Sequence, residues 1–320
     1  MATLIIGGTG FIGASLARKL IAAGEAVVCM DANPDPWHLR DAAAKVALVQ
    51  GDVAQFDDVA RAIAEHKADR VVNLAYVLSA ESETALHRAV RVNLLGMDNV
   101  FEAARLAGIG RVVYASSVAY HGANPTAQPI RIDEDSPAHP LGVYGWHKQM
   151  NELMADRYAR RYGMGMVAVR PPVVFGPGRR LGQIAHAEMI GRPALGRPYR
   201  MAAAADAKVA LIHVDDVAEI FFKLVAADRV RHAAYHTGGH LVSNGELAEI
   251  VRHFIPEAAI AFDPPAAPPP HYGLSFVYDH ARAHAEFGYA PAPLPERVRE
   301  TIAATRAAFG RSNEGEAKGP

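Results

Sequence analysis

The sequence predicts an α/β fold in which a doubly wound parallel sheet is followed by a smaller mixed region. Short apolar runs alternate with longer segments of helical periodicity as far as residue 175. The runs are apolar at consecutive positions, which indicates strands covered by helices on both faces. Loops rich in Gly, Pro and Arg then replace this alternation. We therefore expect a first domain at 1–175, a second region at 176–310 that partly returns to the core, and a disordered tail at 311–320.

The elements of the first domain follow from the spacing of apolar residues. Runs rich in Val, Ile and Leu predict strands, and apolar residues three and four positions apart predict helices. The predicted strands are 4–6, 26–30, 45–50, 70–75, 111–116 and 165–170. The predicted helices are 11–23, 56–66, 82–107 and 145–162. The last two helices are long enough to pack on each other or on a partner subunit.

The second region has fewer clear elements. The apolar run VALIHV, at 209–214, predicts a strand, and the segment that follows it predicts a helix. A further helix is predicted to begin after Ser243, which has the spacing of a capping box with Glu246. The proline-rich stretch 263–273 is expected to be extended and exposed.

Composition excludes several kinds of protein. The chain has 320 residues, is 50% hydrophobic and 21% charged, and can therefore bury a sizeable core. Its formal net charge of -1 gives no general attraction for nucleic acid or anionic membrane, and neither is expected as a partner. No apolar run reaches membrane-spanning length and no signal peptide precedes the first strand. The 15 histidines form no ligand cluster, so no metal is expected.

The cysteine content favours a cytoplasmic protein. Cys29 is the single cysteine and lies in an apolar run, where a buried core residue is expected. One cysteine cannot form an internal disulfide, which fits a reducing compartment.

A glycine-rich loop, GGTGFIG, joins the first predicted strand to the first predicted helix. Gly7 permits a tight turn, Gly10 lets the backbone approach a pyrophosphate, and Gly13 allows close helix packing. The helix start at Phe11 and Ile12 adds N–H donors and a positive dipole. In this setting the loop predicts a dinucleotide-binding, Rossmann-like domain.

The identity of the dinucleotide is suggested by Asp31, at the end of the second strand. A carboxylate there can accept hydrogen bonds from both hydroxyls of the adenosine ribose, whereas a 2′-phosphate would meet like charge. We therefore expect NAD, with NADP as an alternative if Arg40 folds back towards this position. Asp52, followed by Val53, could accept a hydrogen bond from the adenine amino group, or could be a turn residue that caps the next helix.

A tyrosine and a lysine, Tyr144 and Lys148, lie four positions apart at the start of the predicted helix 145–162. Residues at this spacing share one face of a helix, so the ammonium can approach whatever the phenol approaches. The pair is either part of a chemical site or a solvated surface pair.

These motifs, in this order, resemble those of the extended short-chain dehydrogenase/reductases, the NAD-dependent epimerase/dehydratase family. Further matching segments are GDV (51–53), NLA (73–75), VNLLG (92–96), YASS (114–117), RPPVVFGPG (170–178) and LIHVDDVA (211–218). The resemblance extends to about residue 310, with Phe287 in place of the usual leucine of the closing segment. It implies NAD as the cofactor, with Leu74, Ala75, Tyr76 and Pro171 among the residues that contact it.

The resemblance also implies roles for individual residues. Tyr144 is the implied proton donor or acceptor, and Lys148 binds the nicotinamide ribose and holds Tyr144 anionic. A phenol titrates near 10 in water, and positive neighbours lower that pKa. Ser117 matches a serine or threonine that hydrogen-bonds the substrate oxygen, with Ser116 as the alternative. Asn93 matches an asparagine that orders backbone and water near the lysine, or is a polar residue on the wetter face of its helix.

The substrate region departs from the nucleotide-sugar enzymes of the family. Their asparagine after the sixth strand is Val173 here, and their arginine before the HV-x-D strand falls on or near Val209. The LSA-x-x-E segment resembles that of relatives that oxidise small hydroxy acids and L-threonine. Ser79 is therefore a candidate substrate contact or a helix cap, and Arg179 is a candidate anion contact or a solvated loop residue.

The sequence thus suggests an NAD-dependent oxidoreductase that moves hydride between nicotinamide C4 and a secondary alcohol or ketone of a small hydroxylated substrate. A nucleotide-sugar 4-epimerase or dehydratase would use the same residues. A non-catalytic NAD-binding interaction protein would not need Ser117, Tyr144 or Lys148. The resemblance further implies a homodimer that packs helices 82–107 and 145–162 together.

Overall fold

Fourteen strands and eleven helices are present in the computed structural model, which describes residues 1–126, 128–263 and 276–309. The strands are β1 Ala2–Ile6, β2 Ala26–Asp31, β3 Ala47–Gln50, β4 Arg70–Asn73, β5 Arg111–Ala115, β6 Ile130–Ile132, β7 Gly165–Arg170, β8 Val173–Phe175, β9 Tyr199–Met201, β10 Lys208–His213, β11 Ala234–His236, β12 His240–Ser243, β13 Ile260–Phe262 and β14 Phe276–Tyr278. The helices are α1 Phe11–Ala22, α2 Phe56–Glu65, α3 Ser79–Thr84, α4 Leu86–Val90, α5 Gly96–Leu106, α6 Gly142–Tyr162, α7 Ala185–Ala194, α8 Val214–Ala226, α9 Asn244–Phe254, α10 Ala281–Phe287 and α11 Leu294–Phe309.

Seven of the strands form one parallel sheet, in the order β11-β7-β5-β4-β1-β2-β3. The order reverses between β1 and β4, where Ile6 lies beside Asn73. In a doubly wound sheet this reversal opens a crevice at the carboxyl ends of the strands, and ligands bind there. The loops after β1 and β4 therefore border one crevice, and the predicted fold class is confirmed.

Helices cover both faces of this sheet. One buried cluster joins it to α1, α8 and α10, and a second joins it to α2, α5 and α6. The consecutive residues Leu4 and Ile5 are both fully buried, Ile5 in the first cluster and Leu4 in the second. Burial of each such side chain contributes about 1.5–3 kcal/mol relative to exposure. The apolar runs are continuous because helices cover the sheet on both faces, so consecutive residues of a strand are all buried.

The predicted helix 82–107 is wrong in its continuity. The chain forms α3, leaves helical geometry at Ala85, and resumes with α4. A π-helical turn at Arg91–Leu95 then leads into α5. Asn93, in that turn, bonds to the backbone of Val77, and Ser82 bonds to the same residue. These tertiary hydrogen bonds, which periodicity does not reveal, favour the irregular path.

Strands of the second region form three small sheets, ordered β12-β10-β8, β13-β9 and β14-β6, to which the first domain contributes β8 and β6. Sequence periodicity detected only β10 among these strands, because strands of three or four residues show little periodicity. The capping box is confirmed, since the Ser243 hydroxyl accepts from the Glu246 amide and the Glu246 carboxylate accepts from the Ser243 amide. Of the predicted extended stretch 263–273, only Asp263 lies within the described residues, and the tail 311–320 lies outside them.

Two kinds of feature are absent from residues 1–126, 128–263 and 276–309. No helix there is both long enough and apolar enough to cross a membrane. No group of three or more His, Cys, Asp or Glu side chains there is placed to hold a metal ion. Cys29 is buried in β2 as expected, and burial raises the pKa of its thiol to about 12.

Candidate functional site

The glycine loop lies against the loop that follows β4. Gly7 has a φ of +78°, and a Cβ on it would lie 2.8 Å from the Ala75 nitrogen. A Cβ on Gly13 would lie 2.5 Å from the Gly7 oxygen. The amide of Leu74 donates to the Ile6 oxygen at 2.8 Å, which joins the two loops. The crevice is therefore lined by bare backbone at this point, as close approach of a pyrophosphate requires.

The start of α1 faces this loop without a side-chain cap. Gly10 precedes the helix and forms no capping hydrogen bond. The amides of Phe11, Ile12 and Gly13 have no intrahelical acceptor, because they belong to the first turn. Together with the helix dipole they form an anion site. These residues fit the pyrophosphate of a dinucleotide.

Asp31 ends β2 and is oriented by a residue that sequence reasoning missed. The hydroxyl of Thr9 donates to Asp31 Oδ2 at 2.7 Å. This leaves Oδ1 to accept from a ribose hydroxyl. Arg40 does not fold back to this position, because its guanidinium donates to the Trp37 oxygen at 3.0 Å and lies over the Trp37 ring. The route to NADP that the sequence left open is therefore closed by the fold.

Asp52 forms a turn within its own loop. Its Oδ1 accepts from the Ala54 amide at 2.9 Å. It does not cap the next helix, since α2 is preceded by Gln55. Val53 is buried, and its oxygen accepts from the Asn99 side chain at 3.0 Å. Asp52 is therefore a turn residue, as expected, but it does not cap the next helix. Its Oδ2 can still accept a hydrogen bond from the adenine amino group.

Lys148 is buried in the crevice and is not a surface residue. Its side chain is 1% exposed, and Nζ donates to the Ala115 oxygen at 2.7 Å. Nζ also lies 3.1 Å from the centre of the Tyr76 ring and 5.3 Å from that of Tyr144. Burial lowers the pKa of Lys148 well below its ordinary value, and the charge of Glu152 opposes that shift. The solvated-pair interpretation is therefore wrong.

Tyr144 lies beside Ser117, which follows the carboxyl end of β5. Burial raises the pKa of Tyr144, while the hydrogen bond from Ser117 and the charge of Arg179 lower it. From the sequence we expected positive neighbours to lower the pKa of Tyr144. Without NAD the pKa is raised instead, because desolvation of the phenolate outweighs its positive surroundings. Ser117 is held in turn by the Ala119 amide, which donates to its hydroxyl at 3.1 Å.

Ser116 belongs to a buried ion pair. Its hydroxyl donates to Glu152 Oε1 at 2.5 Å, and the other oxygen of Glu152 accepts from Arg170 at 2.6 Å. The proton of the Ser116 hydroxyl is therefore engaged with Glu152, while its lone pairs stay open. This favours Ser117 as the substrate contact, and the choice between the two serines stays a prediction.

Asn93 fixes the loop that carries Tyr76. Its Oδ1 accepts from the Val77 amide at 2.7 Å, and its Nδ2 donates to the Val77 oxygen at 3.1 Å. Nδ2 also lies 3.4 Å from Nδ1 of His147, the neighbour of Lys148. Because Asn93 is fully buried, the wetter-face interpretation is wrong. It positions the residues around the lysine.

Two substrate candidates lie near the crevice. Ser79 is the first residue of α3 and Glu81 lies in its first turn, so Ser79 is at a helix N-terminus as one interpretation of the sequence expected, although no side chain caps this helix. Arg179 donates to the Val174 oxygen and stands 5.5 Å from the centre of the Phe11 ring. Burial lowers the pKa of Arg179 to about 10, so the guanidinium is not solvated but remains charged at neutral pH. Pro171 is buried beside them, and its oxygen accepts from the Val118 amide at 3.2 Å.

An open cavity of about 1140 Å³ begins at Gly182, whose Cβ position is 3.3 Å from Nη2 of Arg179. Its wall includes Gly182, His186, Tyr199 and Val209. His186 was missed by sequence reasoning, because no local motif marks it. Val209 is buried in an apolar cluster and adds no charge, as the sequence predicted.

Comparisons with known proteins add the following findings. The family model for the NAD dependent epimerase/dehydratase family matches residues 3–238. The UDP-glucose 4-epimerase of Mycolicibacterium smegmatis is 28% identical over 316 residues, 94% of this chain and 97% of that protein. The D-erythronate dehydrogenase of Cupriavidus necator is 32% identical over 193 residues, 56% of this chain and 57% of that protein. The Staphylococcus aureus protein CapI is likewise matched over only 55% of its length.

A solved structure resembles the whole chain. It is the Thermus thermophilus UDP-glucose 4-epimerase in complex with NAD, with a TM-score of 0.84 and 26% identity. The similarity covers 97% of this chain and 100% of that one.

We expect Asp31→Ala to weaken NAD binding about 10- to 100-fold, because a charged acceptor for the ribose is lost. NADP should gain relative to NAD, since repulsion of its 2′-phosphate is removed. Calorimetric titration with each dinucleotide measures both effects. Asp69→Ala is the matched control, because it removes the same charge from an exposed position just before β4. That position lies at the amino ends of the strands, opposite the carboxyl ends where Asp31 lies. If the ratio of NAD affinity to NADP affinity is unchanged, Asp31 does not contact the ribose and only ends strand β2.

Proposed function

The chain belongs to the NAD-dependent epimerase/dehydratase family, and on that premise we propose that it transfers hydride between nicotinamide C4 and a secondary alcohol or ketone of a small hydroxylated substrate. The observation that carries this proposal is the grouping of Ser117, Tyr144 and Lys148 at the same carboxyl edge of the sheet as the uncapped start of α1. Bound NAD supplies the hydride acceptor, or as NADH the donor. The protein must then transfer the proton of the substrate hydroxyl and bind the substrate oxygen.

Tyr144 handles the proton. In oxidation its oxygen accepts the proton of the substrate hydroxyl, and in reduction it returns a proton to the carbonyl oxygen. Because burial raises the pKa of Tyr144, its phenol is protonated at neutral pH and is ready for reduction. Oxidation requires the phenolate, so its rate should rise with pH until the pKa of Tyr144 is reached. Arg179 favours that phenolate through its charge.

Ser117 and Lys148 position the reacting groups. The Ser117 hydroxyl, already directed to the Tyr144 oxygen, can bond the substrate oxygen at the same point. Lys148 uses one of its three N–H bonds on Ala115, which leaves donors for the nicotinamide ribose.

A nucleotide-sugar 4-epimerase is the second candidate function. It is supported by the similarity to the M. smegmatis epimerase, which extends over nearly both full lengths. The open cavity beside His186 is also large enough for more than a small acid. Against it stand Val173 and Val209, apolar residues that cannot donate to a diphosphate. The two functions differ in outcome, because only the oxidoreductase changes the net redox state of NAD.

We further propose a homodimer with a second copy of this chain. Trp146, Met150 and Leu153 of α6 are 59%, 45% and 49% exposed and share one face at a helical spacing. Val90 and Leu95 expose a similar amount on the segment packed beside α6. A contiguous apolar face of this kind is typical of a subunit interface. A cytoplasmic location fits the single cysteine and stays a prediction.

We expect Tyr144→Phe to reduce turnover about 10²- to 10⁴-fold, because the proton donor and acceptor is lost. NAD affinity should stay nearly unchanged, since the glycine loop, Asp31 and Lys148 hold the cofactor. Reduced-nicotinamide absorbance and calorimetry measure the two quantities. Tyr162→Phe, at the exposed end of the same helix, is the control and should keep full activity. If Tyr144→Phe retains half the wild-type rate, Tyr144 is not the proton donor and acceptor.

We expect wild-type protein to have the mass of a dimer by light scattering, and Trp146→Asp/Met150→Asp to be monomeric. Two carboxylates at the centre of the apolar face would be desolvated without partners on association. Leu181→Asp, an equally polar change at an exposed loop residue, is the control and should remain dimeric. A monomeric wild type at working concentration would contradict the proposal.

A further inference from the structure

Two buried polar atoms beside the cavity have no hydrogen-bond partner within the part of the chain that the structure describes. They are Nε of Arg179, in the loop after β8, and Nδ1 of His186, at the start of α7. Buried polar groups are almost always satisfied, so an orphaned pair calls for an explanation. Arg179 lies near both the reacting tyrosine and His186, since its charge lowers the pKa of each.

The hydrogen-bond network determines which proton His186 carries. Asn244 donates through Nδ2 to the Ala204 oxygen at 2.8 Å, which fixes the orientation of its amide. Its Oδ1 must then accept from Nε2 of His186, 3.0 Å away. Burial lowers the pKa of His186 and the charge of Arg179 lowers it further, although the bond to Asn244 opposes them. The imidazole is therefore neutral, and Nδ1 presents a lone pair that only a donor can satisfy.

Arg179 needs an acceptor, whereas His186 needs a donor. Its Nη1 donates to Val174, while Nε has no acceptor, and no carboxylate among the described residues pairs with it. Neighbouring arginines are already engaged, since Arg180 lies 3.8 Å from Asp35 and Arg200 pairs with Asp263. A buried cation without a counter-ion is costly. A ligand that brings one negative charge would offset that cost.

Arg179 and His186 line two adjoining cavities, which share Glu188 and Arg192 in their walls. Gly182 lines the same cavity as His186, and its Cβ position is 3.3 Å from Nη2 of Arg179. The site therefore combines one charged donor with one neutral acceptor, next to a tyrosine that acts on a hydroxyl.

Of the other arginines that line these cavities, Arg192 pairs with Glu188, Arg200 pairs with Asp263 and Arg197 is exposed. One half-buried guanidinium without a carboxylate partner suits a monoanionic carboxylate better than a diphosphate with two charges.

We propose that the substrate is a short polyhydroxy carboxylate whose carboxylate binds Arg179, while a hydroxyl other than the reacting one donates to Nδ1 of His186. This inference rests on the proposed function of Tyr144. In the reaction the carbinol C–H bond breaks, and its hydride passes to NAD. The O–H proton passes to Tyr144, and a C=O bond forms. The product is the corresponding keto acid.

Binding can be tested without turnover, by calorimetry on NAD-loaded Tyr144→Phe protein. The probes are a panel of aldonates with four to six carbons, and the matched alditols, in which CH₂OH replaces the carboxylate. We expect at least one aldonate to bind, and its alditol to bind about 10- to 100-fold more weakly. Adding Arg179→Gln should weaken the aldonate by a similar factor and leave the alditol unchanged. Arg180→Gln, an exposed neighbour, is the matched control and should change neither.

The role of His186 has its own comparison. His186→Phe should weaken an aldonate about tenfold, because a substrate hydroxyl loses its acceptor. The deoxy acid that lacks this hydroxyl should be unaffected. His186→Asn keeps a polar group near the Nδ1 position and should restore part of the affinity. Equal loss for the acid and its deoxy analogue would overturn the assignment of His186. Thermal unfolding of each variant identifies any that has failed to fold.

The outcomes separate this inference from the proposed function. Aldonate binding that depends on Arg179 supports the inference even if no member of the panel is oxidised by wild-type protein. Oxidation of alditols in preference to aldonates would support the proposed function and overturn the inference. Low-micromolar binding of UDP-glucose that Arg179→Gln leaves intact would overturn the inference and favour the epimerase.

Discussion

The burial of the Lys148 ammonium beneath the Tyr76 ring is the interaction on which the site depends. Removing an ammonium from water costs several kcal/mol, and the protein offsets this with the Ala115 oxygen and a cation–π contact. Tyr76 is held in turn by Asn151, whose side chain donates to its hydroxyl at 3.1 Å. One cation thus ties α6 to the end of β5 and to the loop after β4. Tyr144, one turn earlier on α6, is positioned by the same arrangement.

Much of the fold and the cofactor half of the site could be predicted, because those signals are local in sequence. The glycine spacing, the strand-end Asp31 and the Tyr144/Lys148 pair each act through a turn, a strand end or a single helix. The continuous apolar strands indicated a sheet covered on both faces, and the two buried clusters agree with that. Short strands and the irregular path before α5 escaped detection, since tertiary contacts determine them.

The substrate half could not be predicted from local pattern. In the sequence Arg179 is a loop residue beside another arginine, and only the fold shows that Arg179 is half-buried while Arg180 is exposed. His186 meets Asn244 across 58 positions, and no spacing rule connects them. The direction of the Tyr144 pKa shift was also missed, because the sequence shows the charges near a phenol but not its desolvation. Burial and long-range contact determine all three features.

The central claim is that burial governs the ionisation of Tyr144, opposed by the positive groups around it. The most direct measurement is tyrosinate absorbance against pH, taken as the difference between wild-type protein and Tyr144→Phe. The account requires this phenol to titrate above its ordinary value near 10 in the free protein. Its pKa should fall when oxidised NAD, with its positive nicotinamide, is saturating. A phenol that titrates at or below 10 without NAD, or that NAD leaves unmoved, would contradict the account.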